Sequence, residues 1–134
     1  MPVVTSRKVV EIARSDNPKL AIIKAVGDIS SEQVLFDLVL IGIYIQPEKR
    51  KSGLYMPESV SKEDEYQGVV GLVLQMGPDA EKLANEVEGP QVGDWVVASI
   101  KDGWSMTIKD TPCRLVAYDR LRMHISDPTV IYNA

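Results

Sequence analysis

The chain has 134 residues, 45% hydrophobic and 25% charged, with a net charge of −4, which is one ordinary domain whose few aromatics (6%) leave the interior to Val, Ile and Leu. A single Cys and a single His, Cys113 and His124, exclude an internal disulfide framework and a cysteine-built zinc site and leave almost no material for histidine chemistry. No apolar run approaches the roughly 20 residues of a membrane helix, and the first residues lack the layout of a signal peptide, so a reducing, cytoplasmic setting without a membrane is expected.

Residues 1–14 mix Val with Arg, Lys and Ser at no decisive period; they read either as an arm that orders against a neighbour or as a frayed terminus. Asn17-Pro18 then opens a short helical pattern that Gly27 closes, because Pro at the first helical position lacks only an N–H that has no partner there anyway. Leu20, Ile23 and Val26 recur at three-residue spacing and are expected on one face.

After Leu35 the pattern turns to β. Leu38–Ile45 reads as a strand ending at Gln46-Pro47. Gly68–Met76 is the next, stopped by Gly77-Pro78. The segment Asp79–Glu86 looks helical. Val92-Gly93-Asp94 turns into a strand over Trp95–Ile100, and Asp102-Gly103 is predicted as a tight hairpin turn into Trp104–Ile108. Cys113–Ala117 and Leu121–Ile125 follow as short strands. Closely spaced strands with turn signals between them indicate a small barrel or sandwich. The fold class is therefore mainly β, divided into an extension with a short helix (1–36), the β domain (37–126) and a tail (127–134).

The stretch from Pro47 to Tyr66 is polar and charged except for Leu54-Tyr55-Met56. Structureless loops longer than roughly 12–15 residues are uncommon in compact domains and are usually functional or disordered. The tripeptide reads either as an anchor that docks in a partner's groove or as an edge strand tucked back on its own domain.

Charge is unevenly spread: +2 over residues 1–51, −7 over 52–94 and +1 over 95–134. An acidic middle without a basic stripe argues against nucleic acid as a partner, and Lys49-Arg50-Lys51 reads as a solvated loop face. Catalytic signals are weak. His124 lies in an alternating segment and reads as a half-exposed strand residue. Cys113 has Arg114 beside it but reads as a buried strand thiol. Glu63-Asp64-Glu65 lacks the spacing of a calcium loop. Trp95 and Trp104 read as core or interface packing. No phosphate cradle, metal set or nucleophile elbow is present, so no enzyme activity, cofactor or metal is expected.

Leu38-Val39-Leu40, Ser52-Gly53-Leu54-Tyr55-Met56-Pro57-Glu58-Ser59, Gln67-Gly68-Val69-Val70 and Val92-Gly93-Asp94-Trp95-Val96-Val97 together resemble, in order and spacing, the GroES-like co-chaperonins. The likeness runs from about Asp37 to Ile125. It implies a GroES-like β-barrel with a long mobile loop, and an oligomeric ring that caps the chamber of a GroEL-type chaperonin. Gly53, Leu54, Tyr55 and Met56 match the family's chaperonin-binding segment, although the family motif is typically Gly-Gly-Ile-aliphatic-Leu. The family pairs terminal strands of neighbouring subunits, which here implies an interface near Gln33, Val34 and Leu35 on one side and Leu121, Met123 and Ile125 on the other. The family's roof hairpin matches Gly77 to Gln91, where this chain looks helical instead. The N-terminal extension and the tail Asp127–Tyr132 resemble a phage-encoded member acting in the host cytoplasm. Capping a chamber requires neither residues 1–28 nor 128–134, which are expected to be dispensable for it. The alternative is a virion structural protein that decorates or cements a capsid, with the major capsid protein as partner and both termini as clamps.

Overall fold

Asn17 and Gly27 bound the first helix as their chemistry requires. The computed structural model, which describes residues 12, 15–44, 68–99 and 101–130, has helix α1 at Pro18–Val26. The Asn17 side chain accepts a hydrogen bond from the Leu20 N–H at 3.1 Å, and Gly27, at φ 72°, donates its N–H back to the Ile23 carbonyl. A second helix, α2, spans Pro78–Val87 and ends at Glu88 in the left-handed region.

The strands are β1 (Leu38–Tyr44), β2 (Gly68–Met76), β3 (Trp95–Ser99), β4 (Trp104–Ile108), β5 (Thr111–Ala117) and β6 (Leu121–Ile125). They form one antiparallel sheet in the order β4-β5-β1-β2-β3-β6. The fold is mainly β. Among the described residues its ladder does not close into a full ring of hydrogen-bonded strands: β4 and β6 are its two edges.

The sheet is nevertheless strongly rolled. β3 and β4 lie four ladder positions apart, roughly 19 Å on a flat sheet. Yet Ser99 and Trp104 are joined by a link that doubles back, with the Asp102 N–H on the Ser99 carbonyl at 3.1 Å. β5 and β6 are also four positions apart, and only the 3-10 turn Tyr118–Arg120 joins them. A link that short spans less than about 10 Å. Both crossings are possible only if the two ends of the sheet curl towards each other. Arg122 on β6 stands 3.9 Å from Asp102 of the β3–β4 link.

This corrects the hairpin expected at Asp102-Gly103. The turn forms, with Gly103 at φ 79°, but β3 and β4 do not pair across it. β4 pairs with β5 instead, through a two-residue turn in which Lys109 and Asp110 both have positive φ.

Both faces of the sheet are covered. Val39, Ile41, Val73, Val96, Ala98 and Val116 bury the inner face with Ala80 and Ala84 of α2 and with Tyr118. On the outer face α1 places Ile22 against Tyr44, Leu72 and Trp95, and Val26 against Leu40 and Cys113. Tyr44 and Trp95 meet edge to face at 5.8 Å. Gly42 is the point of closest approach: a Cβ there would lie 2.7 Å from a methyl of Ile22.

The face of α1 therefore differs from the expected one. Ile22 and Val26 are buried, while Leu20 and Ile23 are exposed. At about 100° per residue, two steps of three drift by roughly 120°, whereas one step of four drifts by only about 40°. Val26 is common to both stripes, and the four-residue step selects Ile22.

Candidate functional site

Three places carry the sequence-predicted residues. The first is the β1–β2 junction. These central strands pair from Val39↔Met76 to Tyr44↔Val70, so the connection 45–67 leaves and re-enters the sheet on adjacent paired strands. Gly53, Leu54, Tyr55 and Met56 lie outside the described residues, as do Lys49–Lys51 and Glu63–Glu65.

The second is the segment before β1. Gln33–Leu35 forms no strand within the chain. A side chain of β2 straps it down instead. Gln75 Oε1 accepts the Val34 N–H at 2.6 Å, while its Nε2 donates to the carbonyls of Glu32 at 3.0 Å and Ile29 at 3.3 Å. One half-buried amide thus satisfies three backbone groups of an irregular segment. Phe36 follows at φ 56°, a left-handed conformation unusual for an aromatic residue. Its carbonyl accepts the N–H groups of Asp79 and Ala80, so it caps the start of α2. These bonds hold two large apolar side chains in solvent: Leu35 is 51% exposed and Phe36 65%.

The third is β6, the last strand in the order of the sheet. Leu121 and Ile125 are half-buried against the core, and Met123 between them is 56% exposed. His124 points the other way, half-exposed, with Nε2 3.6 Å from an Asp94 carboxylate oxygen that also accepts the Gln91 N–H. That is a surface contact in a ladder residue. A register shift opposite Val97 and Ala98 breaks the alternation: Met123 and Ile125 share one face of β6, Leu121 lies on the other against the inner core, and Gln33–Leu35 sits on a separate strap.

The sequence reading missed two features. Phe36 adjoins the first strand and is the chain's only Phe, which was the available signal. Strand β4 is exposed along almost its whole length, with Trp104 at 62%. Its signal was an uncharged five-residue run between two turns. Of the two Trp residues, Trp95 is core and Trp104 is surface.

Cys113 is buried, and desolvation pushes its thiol up to about 11. At pH 8 its thiolate fraction is then about a hundred times below that of an unfolded Cys. A disulfide reagent should accordingly label the native protein about a hundredfold more slowly than the denatured chain. Between about pH 9 and pH 11 the folded thiol keeps a proton that the unfolded one has lost, so stability falls as pH rises through that window. Urea denaturation of Cys113→Ala over the same range should show a shallower decline than the native chain. Tyr118 is likewise pushed up, first by burial and then by the charge of Asp94, while its hydroxyl donates to the Pro90 carbonyl at 3.0 Å.

Among the described residues no group of three or more His, Cys, Asp or Glu side chains is placed to hold a metal, and no helix is long and apolar enough to cross a membrane. No family model matches the chain, and no curated protein matches it.

Proposed function

We propose that the protein is a GroES-like co-chaperonin, a homo-oligomeric ring whose 45–67 connections dock on a GroEL-type chaperonin in the host cytoplasm. The observation that carries this reading is the β1–β2 junction. A connection containing Gly53-Leu54-Tyr55-Met56 springs from two adjacent paired strands at the centre of a rolled sheet. Such a base fixes where the connection starts and ends. Leu54 and Met56 would enter apolar pockets of the chaperonin, with Tyr55 facing away and Gly53 as the joint. Each contact would be weak, and several on one ring would add avidity.

The rolled six-stranded sheet supports the finer reading as an incompletely closed GroES-like barrel, with α2 where the family has its roof hairpin. Assembly would use Gln33, Val34 and Leu35 of one copy against Leu121, Met123 and Ile125 of the next. Exposure of Leu35 and Met123 supports this, since a monomer gains nothing by presenting both. The virion reading drew on a terminal extension free to clamp a lattice. Residues 18–26 are committed to their own sheet, which leaves that reading less chain to work with.

The test is a chain in which Leu54 and Met56 are both Ser. It should keep the far-ultraviolet spectrum and urea midpoint of the native protein, because loop residues carry little core burial. Nucleotide-dependent co-elution with a GroEL-type chaperonin should disappear. Undiminished co-elution would overturn the assignment of Leu54 and Met56.

A further inference from the structure

Strand β4 has no part in the capping reading, and its sequence and placement suggest a second contact. Among the described residues it is a sheet edge, paired only with β5. Natural edges are blunted by charge, Pro, bulges or cover. Trp-Ser-Met-Thr-Ile over Trp104–Ile108 has no charge and no Pro, its ladder to β5 has no register shift, and Trp104, Ser105, Met106 and Thr107 are all exposed. An uncharged, uncovered edge is a template for another strand.

We propose that β4 pairs antiparallel with β4 of a second copy, about a two-fold axis at Met106. A two-fold interface must be self-complementary, since each residue meets its image in the reversed partner. The run satisfies this: Met106 meets Met106, Ser105 meets Thr107, and Trp104 meets Ile108. These are apolar–apolar and hydroxyl–hydroxyl pairs, the kinds that stabilise antiparallel neighbours, with no like charges opposed in the five-residue ladder. Asp102 and Asp110 oppose one another only beyond it, where Lys101 and Lys109 stand beside them in sequence.

The hydrogen-bond phase agrees. Ile108 and Thr111 close the two-residue turn of the β4–β5 hairpin, so they form a hydrogen-bonded pair, and Met106 and Trp104 share that phase towards β5. Ser105 and Thr107 therefore turn their N–H and C=O groups outward. In the proposed pairing they bond reciprocally with Thr107 and Ser105 of the second copy. Met106 falls at the close, non-hydrogen-bonded position, where facing Cα atoms stand about 4.5 Å apart. This contact is independent of the ring interface, which uses β6 and Gln33–Leu35.

Cysteine crosslinking of the full chain tests it, with every variant carrying Cys113→Ala, because Cys113 is the ladder partner of Met106 on β5 and would otherwise capture a thiol at that position within one copy. Under mild oxidation Met106→Cys should form a covalent dimer, because the facing Cα separation suits a disulfide. Ser105→Cys alone and Thr107→Cys alone should give at least tenfold less, whereas their equimolar mixture should give the mixed dimer. In the native background Met106→Lys should halve the mass of the largest species seen by sedimentation. The proposal is overturned if Met106→Cys crosslinks no faster than Ser105→Cys. It is equally overturned if Met106→Cys links to Met123→Cys in a mixture in preference to itself, which would make the partner strand β6.

Discussion

Ile22→Ala should lower the stability of the native state by about 2–5 kcal/mol, the usual range for emptying a fully buried aliphatic site. Leu20→Ala, two positions away on the same helix but half-exposed, should change it by no more than about 0.5 kcal/mol. The contrast follows from where α1 lies. Ile22 fills the gap over Gly42 and packs with Tyr44, Leu72 and Trp95, whereas Leu20 faces solvent. Removing residues 1–27 should do far more than any point substitution. It strips Ile12, Ile22 and Val26 from two apolar clusters at once and uncovers the outer face of β1, β2 and β3. The truncated chain should be insoluble or lack a cooperative urea transition. A soluble truncated form with a native midpoint would mean that α1 is an accessory after all.

That outcome would replace the expectation that residues 1–28 are dispensable for capping, and the reason lies in what a linear sequence exposes. Asn17, Pro18 and Gly27 mark both ends of α1, and Gly77-Pro78 marks where β2 stops, because caps and breakers act within a few residues. β2 and α2 were legible for the same reason. Which face of α1 is buried depends on Gly42, a residue whose only contribution is the absence of a side chain, and nothing local in α1 reports it. Strand order is also non-local. Asp102-Gly103 has the chemistry of a turn and makes one, but turn chemistry cannot say whether the flanking strands pair. The Lys109–Asp110 turn carried no Gly or Asn to announce it, and Pro112 hid the first residues of β5, where Pro is tolerated facing Thr107 in a two-residue hairpin. Of the candidate site, β6 was readable as a strand from its alternation, but the register shift that turns Leu121 to the face opposite Met123 and Ile125 was not. The Gln75 strap and the Phe36 cap were not, because each joins residues some forty positions apart.

The rolled sheet makes a second large effect predictable at Gly103. This residue has φ 79° and sits in the link that carries the chain from β3, at one end of the sheet, to β4 at the other. Arg114 holds the same link from below, its Nε donating to the Asp102 carbonyl at 2.7 Å and its Nη1 donating to the Ser105 hydroxyl. A Cβ on residue 103 would meet the Leu115 carbonyl oxygen and a methyl of Val116, 2.6 Å away, and the oxygen is backbone that cannot rotate aside. Gly93, at φ 95°, is the natural control, because a Cβ there meets nothing within 4 Å. Gly93→Ala should therefore cost only the left-handed conformation itself, about 1–2 kcal/mol. Gly103→Ala adds a backbone collision and should cost about 3–5 kcal/mol, at the extreme of single substitutions. Equal urea midpoints for the two variants would mean that the link stands off from β5 at Leu115. A midpoint for Gly103→Ala well below that of Gly93→Ala would identify the close approach of the link to Leu115 on β5, the ladder partner of Trp104, rather than the positive φ alone, as the reason for a glycine at position 103.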